Sequence, residues 1–200
     1  MTNNIEGDKY RTVDNWFDFV PEPSAPIRYL EIGAYYGANV ISFAQSHYAQ
    51  HPTSEIHCID PWVDYDDYDE YKGQQTSIFE TFKRNLVNNK LEDKIRYHRG
   101  FSSDMIPTFT DEYFDIIYID GNHEPQYIVE DAVLSFRKLK KGGYMIFDDY
   151  GWRDASKGID AFLSAYAKCI DIIMPNHNTQ VFIKKLDGGK IDSVASSSIR

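Results

Sequence analysis

Cysteine is scarce in this sequence. The two present, Cys58 and Cys169, stand in separate apolar stretches without C-x-x-C or zinc-type Cys/His spacing. A disulfide framework and a thiolate metal site are thereby excluded, and both residues read as buried thiols. Long apolar runs are missing too: none approaches the roughly 18 residues that cross a bilayer. The first dozen residues, MTNNIEGDKYRT, carry no apolar segment of a secretory signal, so the expectation is a cytoplasmic chain with no membrane partner. Positive charge is also short, with 21 Lys and Arg against 31 Asp and Glu and a net charge of −10. Such a surface repels a phosphate backbone, which argues against a nucleic-acid partner. No internal repeat is present. What the chain does have is 42% apolar and 15% aromatic residues over 200 positions, enough to fill one core rather than two.

Short runs rich in Ile, Val, Tyr and Phe alternate with stretches of helical period, the pattern of β-α units in a mostly parallel sheet. Strands are expected at 27–32, 55–60, 95–98, 114–120 and 144–147. Helices should follow the turn at 33–37 and occupy 76–89, 125–139 and 159–167. Gly142 and Gly143 are expected to end the third of these. Two last apolar runs, 169–174 and 180–185, flank a hairpin loop at 175–179, so the sheet should finish with an antiparallel strand. The fold class is α/β, a seven-stranded Rossmann-like sheet with helices on both faces. Residues 1–26 read as a Pro-punctuated lead-in segment, 27–186 as the domain and 187–200 as a Gly/Ser-rich flexible tail.

The first β-α turn reads Glu31-Ile32-Gly33-Ala34-Tyr35-Tyr36-Gly37. A glycine turn there builds a ligand site at the carboxyl edge of the sheet. A dinucleotide fingerprint needs three glycines, the second allowing close approach of a pyrophosphate, and here that position is Tyr35. Glu31 would repel phosphates yet can hold an ammonium group through water or backbone. Asp60, ending the second strand, can accept from both hydroxyls of a ribose.

These residues resemble the class I S-adenosylmethionine-dependent methyltransferases, whose first motif is an acid followed by G-x-x-x-G and whose second acid ends strand two. The resemblance runs from about residue 27 to 185. Within that superfamily Cys58-Ile59-Asp60-Pro61-Trp62, Gly100 to Pro107, Ile119-Asp120-Gly121-Asn122-His123 and Phe147-Asp148-Asp149-Tyr150 look like the metal-dependent O-methyltransferases. The likeness is greatest to the branch with antibiotic-sugar O-methyltransferases and cephalosporin-biosynthesis proteins. It implies S-adenosylmethionine held by Glu31, Gly33, Gly37 and Asp60, with Ser102 and Ser103 beside the adenine. Trp62 either packs nearby or belongs to the core.

Asp120 ends strand four, and Asp148 and Asp149 end strand five. If those strands are neighbours, three carboxylates converge and require a cation. An all-oxygen set favours a hard ion, Mg²⁺ before Mn²⁺ or Ca²⁺. Coordination lowers the cost of forming an alkoxide from an acceptor hydroxyl and places it about 3 Å from the donor methyl. Asp120 then serves both metal and catalysis. His123, on the loop before a helix, has the acidity of a general base, and a structural role beside Asp148 is the other reading. In some sugar enzymes of the resemblance an acidic residue one position earlier is the base, where this chain has Asn122.

The segment 62–71 interleaves aromatics with carboxylates. As a substrate lid it favours a sugar or glycan over a flat phenol; otherwise it is a solvated loop. Trp16, Phe17 and Phe19 can cover the cleft, meet a second copy in a homo-oligomer, or pack on the sheet. The function expected is transfer of a methyl group to a hydroxyl of a small molecule. The alternatives are an NAD-dependent oxidoreductase and a donor-binding interaction subunit without activity.

Overall fold

The computed structural model describes residues 4–64, 72–173 and 179–187. Its elements are β1 (Arg28–Ile32), α1 (Ala38–Gln45), β2 (Glu55–Asp60), α2 (Gln75–Asn88), β3 (Ile95–Arg99), α3 (Ser102–Met105), β4 (Phe114–Ile119), α4 (Pro125–Lys138), β5 (Leu139–Phe147), α5 (Ala155–Tyr166), β6 (Ile170–Ile173) and β7 (Val181–Lys185). The seven strands form one sheet in the order β3-β2-β1-β4-β5-β7-β6. β1 pairs in parallel with both β2 and β4, and β7 lies antiparallel between β5 and β6. This is the Rossmann-like architecture expected from the alternation of periods. The strand order reverses between β1 and β4, which opens a crevice above their carboxyl ends.

Residues alternate across the sheet because successive strand side chains point to opposite faces. Tyr29, Ile56 and Tyr118 join a core with Phe43, Phe82 and Trp16, while Leu30, Ile117 and Met145 join another with Ile128, Ala132 and Phe162. The lead-in segment belongs to the first core. Trp16 is fully buried, its ring 5.2 Å from Tyr118 and 6.3 Å from Tyr29. Thr12 N–H donates to Asn39 Oδ1 at 3.0 Å. Phe19 packs on Phe182, and Phe17 stacks on His47 at 4.4 Å with its outer face exposed. Of the two cysteines, Cys58 is buried and Cys169 only partly so.

One boundary differs from the sequence reading. Gly142 and Gly143 do not end α4; they lie inside β5, and the helix stops at Leu139, whose backbone is extended (φ −74°, ψ 132°). A distant residue satisfies the carbonyls at this junction: Lys185 Nζ donates to Phe136 O at 2.9 Å and Leu139 O at 2.7 Å. Gly143 is needed where β5 presses on β4, since a Cβ there would lie 2.9 Å from Asp115 O. The hairpin loop expected at 175–179, most of the acidic segment 62–71 and the tail past 187 lie outside the described residues. No helix among the described residues is long and apolar enough to cross a membrane.

Candidate active site

The crevice over β1 and β4 holds a cavity of about 600 Å³. Glu31, Gly33, Asp60, Ser102, Ser103, Asp120 and His123 all line it. Among the described lining residues none is Lys or Arg, whereas Asp8, Glu31, Asp60, Asp64, Asp120, Glu130 and Asp131 all contribute carboxylates. A wall of that charge suits a cationic ligand and opposes a phosphate.

The glycine turn is fixed by its neighbours. Gly33 has φ +87°, and a Cβ there would lie 1.8 Å from the Asp120 carbonyl, so β1 and β4 close up only on a hydrogen. Asp60 Oδ2 accepts from Ala34 N–H at 3.0 Å and Tyr35 N–H at 2.9 Å, and Oδ1 from Trp62 N–H at 2.7 Å. Burial raises the Asp60 carboxyl above the usual range, and those three N–H groups oppose the rise. Asp60 thus ties the turn to β2 as well as facing the cavity. Gly37, with φ +84°, caps α1 rather than lining the cavity.

Trp62 departs from the adenine-side placement. Its ring is buried against Phe79 and Phe82 at 4.7 and 4.8 Å, outside the cavity wall, and its Nε1 donates to Tyr35 O at 3.0 Å. It clamps the turn from behind.

Glu31 is buried, accepting from Tyr29 Oη at 2.7 Å and Asn39 Nδ2 at 3.0 Å. Burial nevertheless pushes its carboxyl up to about 8. On α4, Asp131 is pushed up to about 7, again by burial, while a hydrogen bond from Ser102 opposes the rise. Both raised values have the same sign for stability. The native chain holds protons that an unfolded chain, titrating near 4.5 and 3.8, has already released. The stabilisation is therefore complete below those ordinary values and is lost as pH rises through about 7 and 8. The ligand-free protein should melt several degrees lower at pH 8.5 than at pH 6, roughly 5 °C or more for a domain of this size. Glu31→Gln should flatten the slope. A melting temperature that climbs over this interval would contradict the assignment.

At the β4–β5 side the carboxylates come together with His123 among them, and Asp120 and Asp148 share the Tyr118 hydroxyl, at 3.3 and 2.5 Å. Asp120 Oδ1 lies 3.4 Å from His123 Nε2, and the same nitrogen lies 2.8 Å from Asp149 Oδ2. One ligand atom from each of Asp120, His123 and Asp149 falls within 4.8 Å of the others. Asp148 is not in this group. Its N–H continues the ladder to Ile119 O at 3.0 Å, so its side chain keeps strand alternation and falls on the sheet face that carries Tyr118 and Ile146. There Asp148 Oδ2 accepts from Tyr118 Oη at 2.5 Å. Asp149 escapes the alternation through a left-handed backbone, φ 57°. Burial first, then the Asp120 charge, pushes the Asp148 carboxyl up to about 7.

Asp8, Tyr10, Trp152 and Asp131 are among the wall residues that the sequence reading did not name. Asp8 and Tyr10 reach the cavity from the lead-in segment, and Trp152 sets its ring 4.7 Å from His123, edge to face. The charges of Asp148, Asp149 and Asp120 add to burial in raising the Tyr10 hydroxyl. Nothing in the spacing of these three announces the cavity. Asp131 did leave a signal, since it is a carboxylate inside the apolar stripe of α4 between Ile128 and Ala132.

With fold and site in view, comparison with known proteins gives the class. The methyltransferase domain family matches residues 30–150, more than half the chain, and the protein belongs to that family, among the class I S-adenosylmethionine-dependent methyltransferases. A curated relative, O-methyltransferase hkm8 of Aspergillus hancockii, is 31% identical over 127 residues, covering 63% of this chain and 44% of its own. The chain spans about half the length of the curated relatives it matches. Two solved structures share the fold. The O-methyltransferase NovP aligns with a TM-score of 0.63 at 19% identity over 80% of this chain and 72% of its own. The SAH-bound methyltransferase PaMTH1 of Podospora anserina aligns with a TM-score of 0.59 at 18% identity over 81% and 73%.

Proposed function

We propose that this protein transfers the methyl group of S-adenosylmethionine to a hydroxyl of a small molecule, a sugar or other vicinal diol, with a divalent metal held by Asp120, His123 and Asp149. The observation that carries the reading is the convergence of one imidazole nitrogen and two carboxylates at the rim of an otherwise acidic cavity. Family membership sets aside the nicotinamide alternative, and hkm8 and NovP are named as O-methyltransferases.

The donor set fits a cation: two hard oxygens and a borderline nitrogen, with no Lys or Arg among the described wall residues to neutralise them. An imidazole in place of Asp148 moves the preference from Mg²⁺ toward Mn²⁺ or Zn²⁺. A bound divalent ion supplies acidification of a coordinated hydroxyl. The chain's own residues do the rest. Glu31 and the turn from Gly33 hold the cationic donor, Asp60 takes ribose hydroxyls, and Ser102 and Ser103 border the base. Trp152 and Tyr10 offer aromatic faces to a sugar ring. Asp148 acts through Tyr118, whose hydroxyl lies 3.3 Å from Asp120 Oδ2, and so positions the cluster from below.

The 2.8 Å contact of His123 with Asp149 also favours a second reading, in which His123 is the general base and Asp149 its orienting carboxylate. The reactions separate the two. A panel of glycans and catechols is incubated with labelled donor and Mn²⁺ or Mg²⁺, and product is weighed by mass spectrometry. A methyl increment that disappears with EDTA and returns with metal supports the ligand role. Transfer indifferent to EDTA but lost in His123→Gln, with a changed pH-rate profile, supports the base. No increment with any acceptor, alongside normal donor binding, favours the inactive binding subunit.

A further inference from the structure

Asp131 has no part in the metal cluster or the glycine turn, yet its burial is costly and its surroundings are specific. It sits on α4 one turn after Tyr127, 3% exposed, and still lines the cavity with Tyr127 and Glu130. Its flanking residues Ile128 and Ala132 face the core. The Ser102 hydroxyl donates to its carboxylate. Across from it is Gly121, where a Cβ would come within 3.2 Å of Asp131 Oδ2, so the backbone of the β4–α4 loop approaches the carboxylate without an intervening side chain.

We propose that Asp131 reads the exocyclic amine of the donor's adenine, a specificity contact that rests on the S-adenosylmethionine reading above. Ser102 has a single hydroxyl proton and gives it to Asp131, so once the Asp131 carboxyl is ionised, above about pH 7, this stretch of wall presents acceptors: the carboxylate oxygens and the Ser102 lone pairs. An amine with two N–H donors is the group such a wall satisfies, and a carbonyl is the group it repels. β3 lies beyond β2 in the sheet, and α3, bearing Ser102, follows β3. A donor whose ribose meets Asp60 at the end of β2 and whose methyl points to the Asp120 side must send its base toward α3 and Asp131. The carboxyl of Asp131, raised by burial although Ser102 already donates to it, agrees with a group that a second donor from the ligand would satisfy further.

The test measures binding of S-adenosylhomocysteine and of S-inosylhomocysteine, which carries a carbonyl in place of the amine, to the full chain by calorimetry above the pH of about 7 at which Asp131 ionises. Wild type should favour S-adenosylhomocysteine by about 30-fold, the size expected when a buried acceptor is left facing an acceptor. Asp131→Asn should bring the two within about threefold, since an amide can turn either its donor or its acceptor to the base. Ser102→Ala should keep most of the preference, because Asp131 remains. Equal wild-type affinities, or an Asp131→Asn variant that weakens both compounds alike, would overturn the assignment and leave Asp131 as a prop for α3. If Asp131→Asn does not fold, the wild-type ratio and Ser102→Ala still decide. Failure of wild type to bind either compound would instead overturn the donor reading itself.

Discussion

Asp149→Asn is expected to lower methyl transfer by about 100- to 1,000-fold, the usual cost of removing one charged group from a preorganised centre. Donor affinity should stay within about threefold, because Asp149 stands on the β5 side and the donor turn belongs to β1. Its Oδ2 is 2.8 Å from His123 Nε2, so the substitution removes one of three converging atoms and the charge that orients the imidazole. Calorimetry with Mn²⁺ should record the loss directly, as metal affinity that falls with activity. Asp148→Asn is the informative contrast. Its carboxylate is buried on Tyr118 rather than turned to the cluster, so stability should suffer more than metal affinity. If Asp148→Asn abolished metal binding as fully as Asp149→Asn, the cluster would be the three-aspartate set that the sequence suggests.

Gly33→Ala should be strongly destabilising. Two penalties add at this position. A φ of +87° is a left-handed conformation that side chains enter at about 1–2 kcal/mol. The new carbon would also sit 1.8 Å from the Asp120 carbonyl oxygen, a backbone atom that cannot swing aside. To relieve it, β1 and β4 must part at the place where Asp120 N–H donates to Ile32 O at 2.9 Å. A total above about 4 kcal/mol lies in the exceptional range for point substitutions and lowers the melting temperature by roughly 10 °C or more for a domain of this size. Gly73→Ala is the control, with φ +75° but nothing within 4 Å of its Cβ; it should cost about 1 kcal/mol. A Gly33→Ala protein as stable as that control, binding donor normally, would show that the strands part without penalty.

Local pattern made much of this protein legible. The alternation of β-branched and aromatic runs with helical stripes announced the seven strands, because period 2 and period 3.6 arise from backbone geometry alone. The end of α4 was legible to within one residue, but the start of β5 at Leu139 rather than 144 was not, because Leu139 is held in the sheet by pairing with Phe114 of β4, a contact between distant segments. Trp62 shows another limit. An indole beside a motif acid reads equally well as ligand face or core, and only the packing of Phe79 and Phe82 from α2 decides for the core.

By itself, then, the order of residues determined the α/β class, the bend at Gly33, and which strand ends carry Glu31, Asp60, Asp120 and the Asp148-Asp149 pair. Tertiary structure decided which of those acids face each other. Asp148 and Asp149 are adjacent in the chain, but one follows the alternation of the strand down to Tyr118 and the other leaves it through a positive φ toward His123. It also brought Tyr10 of the lead-in segment and Asp131 of α4 to the same cavity. Side-chain direction at the end of a strand, and contacts between distant segments, depend on the neighbours that the fold supplies.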